Sequence, residues 1–294
     1  MAFGPLLETM RPHQWIKNAL VLAPLVFAHR LHDGHAVLQA LAALAVFCAL
    51  SSAVYLLNDV LDADADRLHP SKRTRPIADG RLSVSTALTA AVLLALLAIG
   101  VATRIGPDDA DFVVWPLAYA ALNLAYSLRL KRIAIVDVLC IATGFQFRVH
   151  AGSVAIGVPS SKWLLLCTFF FATFVALCKR RDELAKQELN GSSTRPVLED
   201  YSIAFLDQVI APLAAMSILA YALYTLDGDT VEKHGPYLML TGPFVVFGVF
   251  RYLWLVHHAD GGEDPARLLL RDRQILISGA LWAMTVAIVV TPSG

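Results

Sequence analysis

The feature that most constrains this chain is the recurrence of long apolar runs. A helix needs about 20 mostly apolar residues to cross the hydrocarbon of a bilayer. Nine stretches meet that measure at about 14–31, 36–57, 84–103, 111–128, 133–156, 162–179, 204–226, 236–256 and 274–291. With 57% hydrophobic and only 16% charged residues and a mean hydropathy of +0.59, a soluble globular domain is excluded. The expected fold is an all-α integral membrane protein of about nine transmembrane helices. The intervening segments are too short for a separate soluble domain, so residues 1–294 read as one membrane-embedded domain. A formal net charge of zero gives no reason to expect a nucleic-acid partner. The four cysteines, Cys48, Cys140, Cys167 and Cys178, lie in or at the ends of apolar runs without metal-ligand spacing and read as reduced core residues. No short apolar core followed by a small-residue cleavage site suggests a removable signal peptide.

The basic residues orient the helices. Arg11, Lys17, the 67–81 cluster, Arg129–Arg132, the 179–195 cluster and Arg267–Arg273 fall on one side of the nine-span arrangement. Arg30, Arg104, Lys162 and Lys233 fall on the other. Excess lysine and arginine marks the cytoplasmic side, which places the N-terminus inside and the C-terminus outside a plasma membrane. Phosphate binding would gather cations at the same face.

The run Asn58-Asp59-Val60-Leu61-Asp62-Ala63-Asp64-Ala65-Asp66 closes the second apolar stretch. At about 100° per residue, Asp59, Asp62 and Asp66 lie within roughly 60° of one another on a helix, beside Asn58, with Asp64 on the far side. Three carboxylates on one face repel unless a cation offsets them. Hard oxygen donors suit Mg²⁺, which commonly bridges carboxylates to substrate phosphates. A solvated acidic helix end is the plain alternative. A dense cationic run follows: Arg67, His69, Lys72, Arg73 and Arg75 before Pro76. Guanidinium groups bind phosphate bidentately and lysine acts as a point charge, so carboxylates and cations together can hold a metal diphosphate. Anchoring to anionic headgroups is the competing explanation.

Other polar residues stand in costly places. Arg148, deep in the fifth stretch, must face a partner or a watery cavity. Asp137 is roughly 16 Å away along a helix axis, too far to be that partner, so Arg148 reads as an inward-facing structural or anion-binding residue. Arg251 lies nearer a helix end and can snorkel. A cluster from Lys179 to Lys186, with Arg180, Asp182 and Glu183, follows the sixth stretch and has the spacing of a salt-bridged helix face. Tyr126 to Lys131 ends the fourth stretch. All of these clusters fall on the cytoplasmic side, which favours one polar site there.

Asn58-Asp59-x-x-Asp62-x-x-x-Asp66 at the end of a second span resembles the first aspartate-rich motif of the UbiA-type intramembrane prenyltransferase superfamily. That resemblance implies nine helices around a lipid-accessible cavity with a polar cytoplasmic cap. It also implies Mg²⁺ held by Asp59, Asp62 and Asp66. The superfamily's usual second Asp-x-x-x-Asp motif is altered here, with Lys186 where an aspartate would stand. The chain is more similar to the decaprenyl-phosphate phosphoribosyltransferase branch. The similarity lies in Arg11-Pro12-x-Gln14-Trp15-x-Lys17-Asn18, Asp66-Arg67-x-His69-Pro70-x-Lys72-Arg73-x-Arg75-Pro76, Ser161-Lys162-Trp163, Lys179-Arg180 with Glu183-Leu184, Arg251-Tyr252 and Leu270-Arg271-Asp272-Arg273. It implies transfer of a phosphoribosyl group from phosphoribosyl diphosphate to a polyprenyl phosphate, within cell-wall biosynthesis. Lys17, Asn58, Lys72, Arg73, Arg75, Tyr126, Arg148, Lys179, Arg180 and Glu183 are then the candidate substrate-binding residues. A prenyltransferase with an aromatic or tetrapyrrole acceptor and a transporter are the alternatives, and the oligomeric state, a homo-oligomer included, stays open.

Overall fold

Most of the described part of each of the nine apolar stretches is helical in the computed structural model, which describes residues 3–68, 72–106, 112–190, 196–258, 268 and 271–290. Among the residues singled out above, His69, Pro70, Arg195, Arg267 and Leu270 lie outside the described residues. The α-helices are α1 (Phe3–Met10), α2 (Ala23–Phe27), α3 (Gly34–Leu61), α4 (Ala63–Leu68), α5 (Val84–Ala102) and α6 (Val114–Leu128). They continue with α7 (Val136–Ala155), α8 (Lys162–Asn190), α9 (Ile203–Leu226), α10 (Gly228–His234), α11 (Gly242–His258) and α12 (Arg273–Val290). Among the described residues, five helices are long and apolar enough to cross a membrane: Gly34–Leu61, Val84–Ala102, Lys162–Glu188, Ile203–Leu226 and Pro236–His258. The other four stretches are helical but shorter or more polar. The protein is a multi-pass, all-helical membrane protein.

The helices start where the sequence supplies a cap. Asp33 Oδ1 accepts from the backbone N–H groups of His35 (3.0 Å) and Ala36 (3.1 Å) at the head of α3. Ser83 Oγ accepts from Thr86 N–H at α5 (3.1 Å) and Ser202 Oγ from Phe205 N–H at α9 (3.2 Å). Each satisfies a donor that a helix start would otherwise leave orphaned.

The chain gathers into two compact units. One comprises Met1–Leu130 with Gly144–Ser161, and the other Lys131–Thr143 with Lys162–Gly294. In the first, α3 is the central helix: half of its span is buried, against 17% for α5, whose leucines and valines face outward. Alanines at 43, 98 and 102 pack with Phe47, Leu50, Phe112 and Tyr119; small side chains of this kind let helices approach where lipid provides no hydrophobic drive. A second cluster, Ala53, Leu56, Ala63, Ile77, Leu82, Ala87 and Ala91, pins the 72–83 loop against the end of α3. In the second unit, Phe174, Leu198, Leu206, Ile210 and Tyr252 form the core.

Between α1 and α2 the chain winds as an 11-residue 3₁₀-helix, Pro12–Leu22, long for a form that rarely exceeds 3–4 residues. Its partners hold it there. Trp15 Nε1 donates to Ser52 (3.0 Å), Asn18 Nδ2 to Ser51 (3.1 Å), and Gly152 of α7 lies so close that a Cβ would stand 2.0 Å from the Val21 carbonyl oxygen.

Candidate active site

The carboxylate run keeps its helical register past the end of α3. Asp62 caps α3, its N–H donating to the Asn58 carbonyl at 2.9 Å, and Asp66 N–H donates to the Asp62 carbonyl at 2.8 Å. These bonds join Asn58, Asp62 and Asp66 along one row of the chain, and the Arg75 guanidinium bridges Asp59 to Asp66. Asp59 and Asp66 are each only 3% exposed, Asp62 is half-buried and Asp64 is exposed and paired with Arg67. The two faces of the run are therefore distinct.

Two arginines close on the buried pair. Arg75 Nη1 donates to Asp66 Oδ2 at 2.7 Å and to Asp59 Oδ1 at 3.2 Å. Arg11 Nη2 donates to the same Asp59 oxygen at 2.6 Å, with its guanidinium 4.9 Å from the centre of the Tyr55 ring. Arg75 reaches that position because Ile77 and Leu82, both buried, anchor its loop. Arg11 reaches it from a left-handed backbone, φ 53°, as the residue that caps the 3₁₀-helix. For a non-glycine residue that conformation is uncommon.

Among the described residues, no three or more histidine, cysteine, aspartate or glutamate side chains are gathered as a metal cage. The donors nonetheless fit Mg²⁺ in its usual protein role, in which one or two carboxylates join substrate phosphate oxygens. Asp59 and Asp66 supply buried carboxylates, and Asn58 Oδ1 beside them is buried without a hydrogen-bond partner, a situation that ordinarily costs free energy. Lys17 and Lys72 are half-buried, Arg73 is exposed and Tyr126 is half-buried in α6.

Arg148 is buried with neutral partners. Its Nε donates to Asn18 Oδ1 (2.8 Å), Nη1 to the Gly144 carbonyl (2.8 Å) and Nη2 to Tyr119 Oη (3.0 Å). The guanidinium also lies 4.6 Å from the Tyr119 ring centre and 5.3 Å from that of Phe145. Of the two roles expected for it, these bonds support the structural one, joining α7, α6 and the 3₁₀-helix.

In the second unit, α8 continues eleven residues beyond the predicted stretch, so the 179–186 cluster rides on an unbroken helix. Arg180, 1% exposed, donates through Nε to Asp137 Oδ2 and through Nη1 to Glu183 Oε2, each at 2.6 Å. Tyr201 Oη donates to Asp137 Oδ1 (2.8 Å) and accepts from Ile135 N–H (2.6 Å). Burial, reinforced by donation to Asp137, pushes the Tyr201 phenol up to about 12. Ile135 itself has φ 68°, a strained setting for a β-branched residue. Arg180, expected to hold a phosphate, is instead enclosed by two carboxylates and positions its surroundings. Lys179, half-buried and 3.8 Å from Glu183 Oε1, is the more accessible cation of that turn.

Sequence reasoning missed Arg11 as a site residue and missed the Asp137–Arg180–Tyr201 network. The signal for the network was present as a lone aspartate at the head of one apolar helix and an arginine within the charged run that ends another. Their 43-residue separation hides the pairing.

A helical membrane protein with stacked carboxylates and phosphate-competent cations at the end of an apolar helix defines an intramembrane transferase class. Residues 19–276 match the UbiA prenyltransferase family, and the chain belongs to that family. Its similarity to individual members runs along almost the whole length. It is 34% identical over 291 residues to the decaprenyl-phosphate phosphoribosyltransferase of Corynebacterium glutamicum, covering 97% of this chain and 86% of that protein. It is 36% identical over 284 residues to that of Mycobacterium tuberculosis, covering 95% and 92%. The fold is that of a UbiA homolog from Archaeoglobus fulgidus solved with GPP and Mg²⁺, with a TM-score of 0.73 at 20% identity over 98% of this chain and 99% of that one.

Proposed function

We propose that this protein transfers a 5-phosphoribosyl group from phosphoribosyl diphosphate to a polyprenyl phosphate of decaprenyl type, releasing diphosphate in a Mg²⁺-dependent reaction. The observation that carries the reading is the end-to-end similarity to proteins of that activity, at 34–36% identity over 95–97% of the chain. The site chemistry supports it.

Asp59, Asp62 and Asp66 are the proposed metal ligands. Bound there, Mg²⁺ supplies charge neutralisation for the departing diphosphate. Lys72 and Arg73, which precede Arg75, bind donor phosphates, and Lys17 binds either the 5-phosphate or the acceptor phosphate. The ribosyl C1–O bond breaks with its electron pair leaving on diphosphate, and an acceptor phosphate oxygen forms the new bond to C1. Positive charge develops at C1 as in other glycosyl transfers. The acceptor oxygen is already anionic, so the chain need not supply a strong general base. The polyprenyl tail lies among lipid-facing helices, with the N-terminus and site cytoplasmic and the C-terminus outside.

Purified protein given labelled phosphoribosyl diphosphate, a polyprenyl phosphate and Mg²⁺ should yield a labelled lipid, and EDTA should abolish it. Turnover of a prenyl diphosphate with an aromatic acceptor, and none of the phosphoribosyl donor, would refute the proposal.

A further inference from the structure

The cation that binds the Asp59 and Asp66 oxygens in the structure is the Arg75 guanidinium, with Arg11 on the same Asp59 oxygen. A divalent ion drawn to those carboxylates therefore meets two positive charges already in contact with them. Those two guanidiniums balance the two carboxylates they touch, Asp59 and Asp66. A dication alone would make the group net positive, whereas a dication arriving with a diphosphate would not. Both arginines are also able to leave. Arg75 and Arg11 are 28% and 26% exposed, unlike the aspartates they bind, so their heads can swing from carboxylate to phosphate without a newly buried charge. Guanidinium serves either partner with the same planar donor fork.

We propose that Arg11 and Arg75 are exchange cations: they hold Asp59 and Asp66 in place, then move to the diphosphate oxygens as a metal takes over those carboxylates. This rests on the metal-diphosphate reading above and deepens it. Both arginines become positioning residues before binding and diphosphate ligands after it. The device couples the two ligands, since each binds weakly until the other has come, and by linkage the coupling is reciprocal.

The test uses Mn²⁺ alone, then inorganic diphosphate, on the full-length protein in detergent. Free Mn²⁺ is followed by electron paramagnetic resonance, with no phosphoribosyl donor present. Arg75→Gln should bind Mn²⁺ about tenfold more tightly than the parent protein (about 1.4 kcal/mol), and Arg11→Gln should move the same way. Asp59→Asn in the Arg75→Gln background should remove the gain. Diphosphate affinity at saturating Mg²⁺, read by displacement of labelled diphosphate, should fall by about tenfold in both arginine variants. Because Arg11 and Arg75 come from separate segments, a folding failure in one leaves the other to decide. Unchanged or weaker Mn²⁺ binding in the folded variants overturns the exchange. If EDTA-sensitive phosphoribosyl transfer persists in the parent protein, that failure leaves the functional reading standing. Absence of such transfer, with the Mn²⁺ gain present, would instead sink the substrate assignment alone.

Discussion

Replacing Asp137 with asparagine keeps the shape of the side chain and removes its charge. The perturbation strikes a pair with no solvent to screen it: Arg180 and Asp137 are 1% and 0% exposed and 2.6 Å apart. Removing one member of a buried pair typically costs about 3–5 kcal/mol, because the other charge stays behind uncompensated. Here Glu183 still reaches Arg180, at 2.6 Å and 10% exposed, so the lower end, about 3 kcal/mol, is expected. At about 2–4 °C per kcal/mol for a chain of this order of size, Asp137→Asn should lower Tm by roughly 6–12 °C. The assay is tryptophan-fluorescence melting in detergent, run as a cycle with Arg180→Met and the double variant. Coupling of about 2 kcal/mol or more should appear, the double variant losing less than the sum of the two single losses. Tyr201→Phe should cost about 1–2 kcal/mol, since Ile135 N–H then loses its acceptor. A loss under about 1 kcal/mol for Asp137→Asn, or strictly additive losses, would refute the view that this network holds the second unit together.

Asp59→Ala should reduce transfer by at least about a hundredfold while Asp64→Ala leaves it within about twofold, because Asp64 is solvent-exposed and pairs with Arg67 in its own turn; equal losses would contradict the two-faced helix. Arg148→Met should cost about 2–4 kcal/mol of stability with KM for the donor unchanged, as read from melting and steady-state kinetics; an altered KM alone would argue for anion binding. Asp272 is held below the usual carboxylate range chiefly by the bond from Arg251. A carboxylate lowered on folding stabilises above its unfolded pKa, about 3.9, and loses that contribution as pH falls through its folded value. Asp272→Asn should therefore lower Tm at neutral pH and flatten its decline below about pH 4; a parallel decline in both proteins would contradict the pairing.

The apolar stretches were legible because crossing a bilayer is a length criterion, and it marks where helices lie without needing to know their neighbours. Its failure at α8 has a simple cause. The hydropathy ends near Lys179, but lysine, arginine, glutamate, alanine and glutamine are strong helix formers, and Lys186 pairs with Asp182 at 3.1 Å one turn away, so the helix runs on to Asn190. The stacking of Asp59 with Asp66 followed from local geometry alone. The bridge from Arg75 did not, because it depends on Ile77 and Leu82 folding the following loop back onto α3. Nor could periodicity reveal the 3₁₀ winding of Pro12–Leu22, which tertiary partners impose on residues that carry no pattern of their own.

That winding makes the segment a ruler. A 3₁₀-helix advances about 2.0 Å per residue against about 1.5 Å for an α-helix, so the seven steps from Arg11 to Asn18 reach about 3.5 Å further than they otherwise would. The extra reach lets one short segment touch Asp59 through Arg11 at its head and Arg148 through Asn18 further along. Relaxation to an α-helix would shorten the ruler and release one contact or the other. A substitution that raises α-helical preference at an exposed position, Ile16→Ala, would then look harmless by every local measure and still slacken the tether between the carboxylates and the buried arginine.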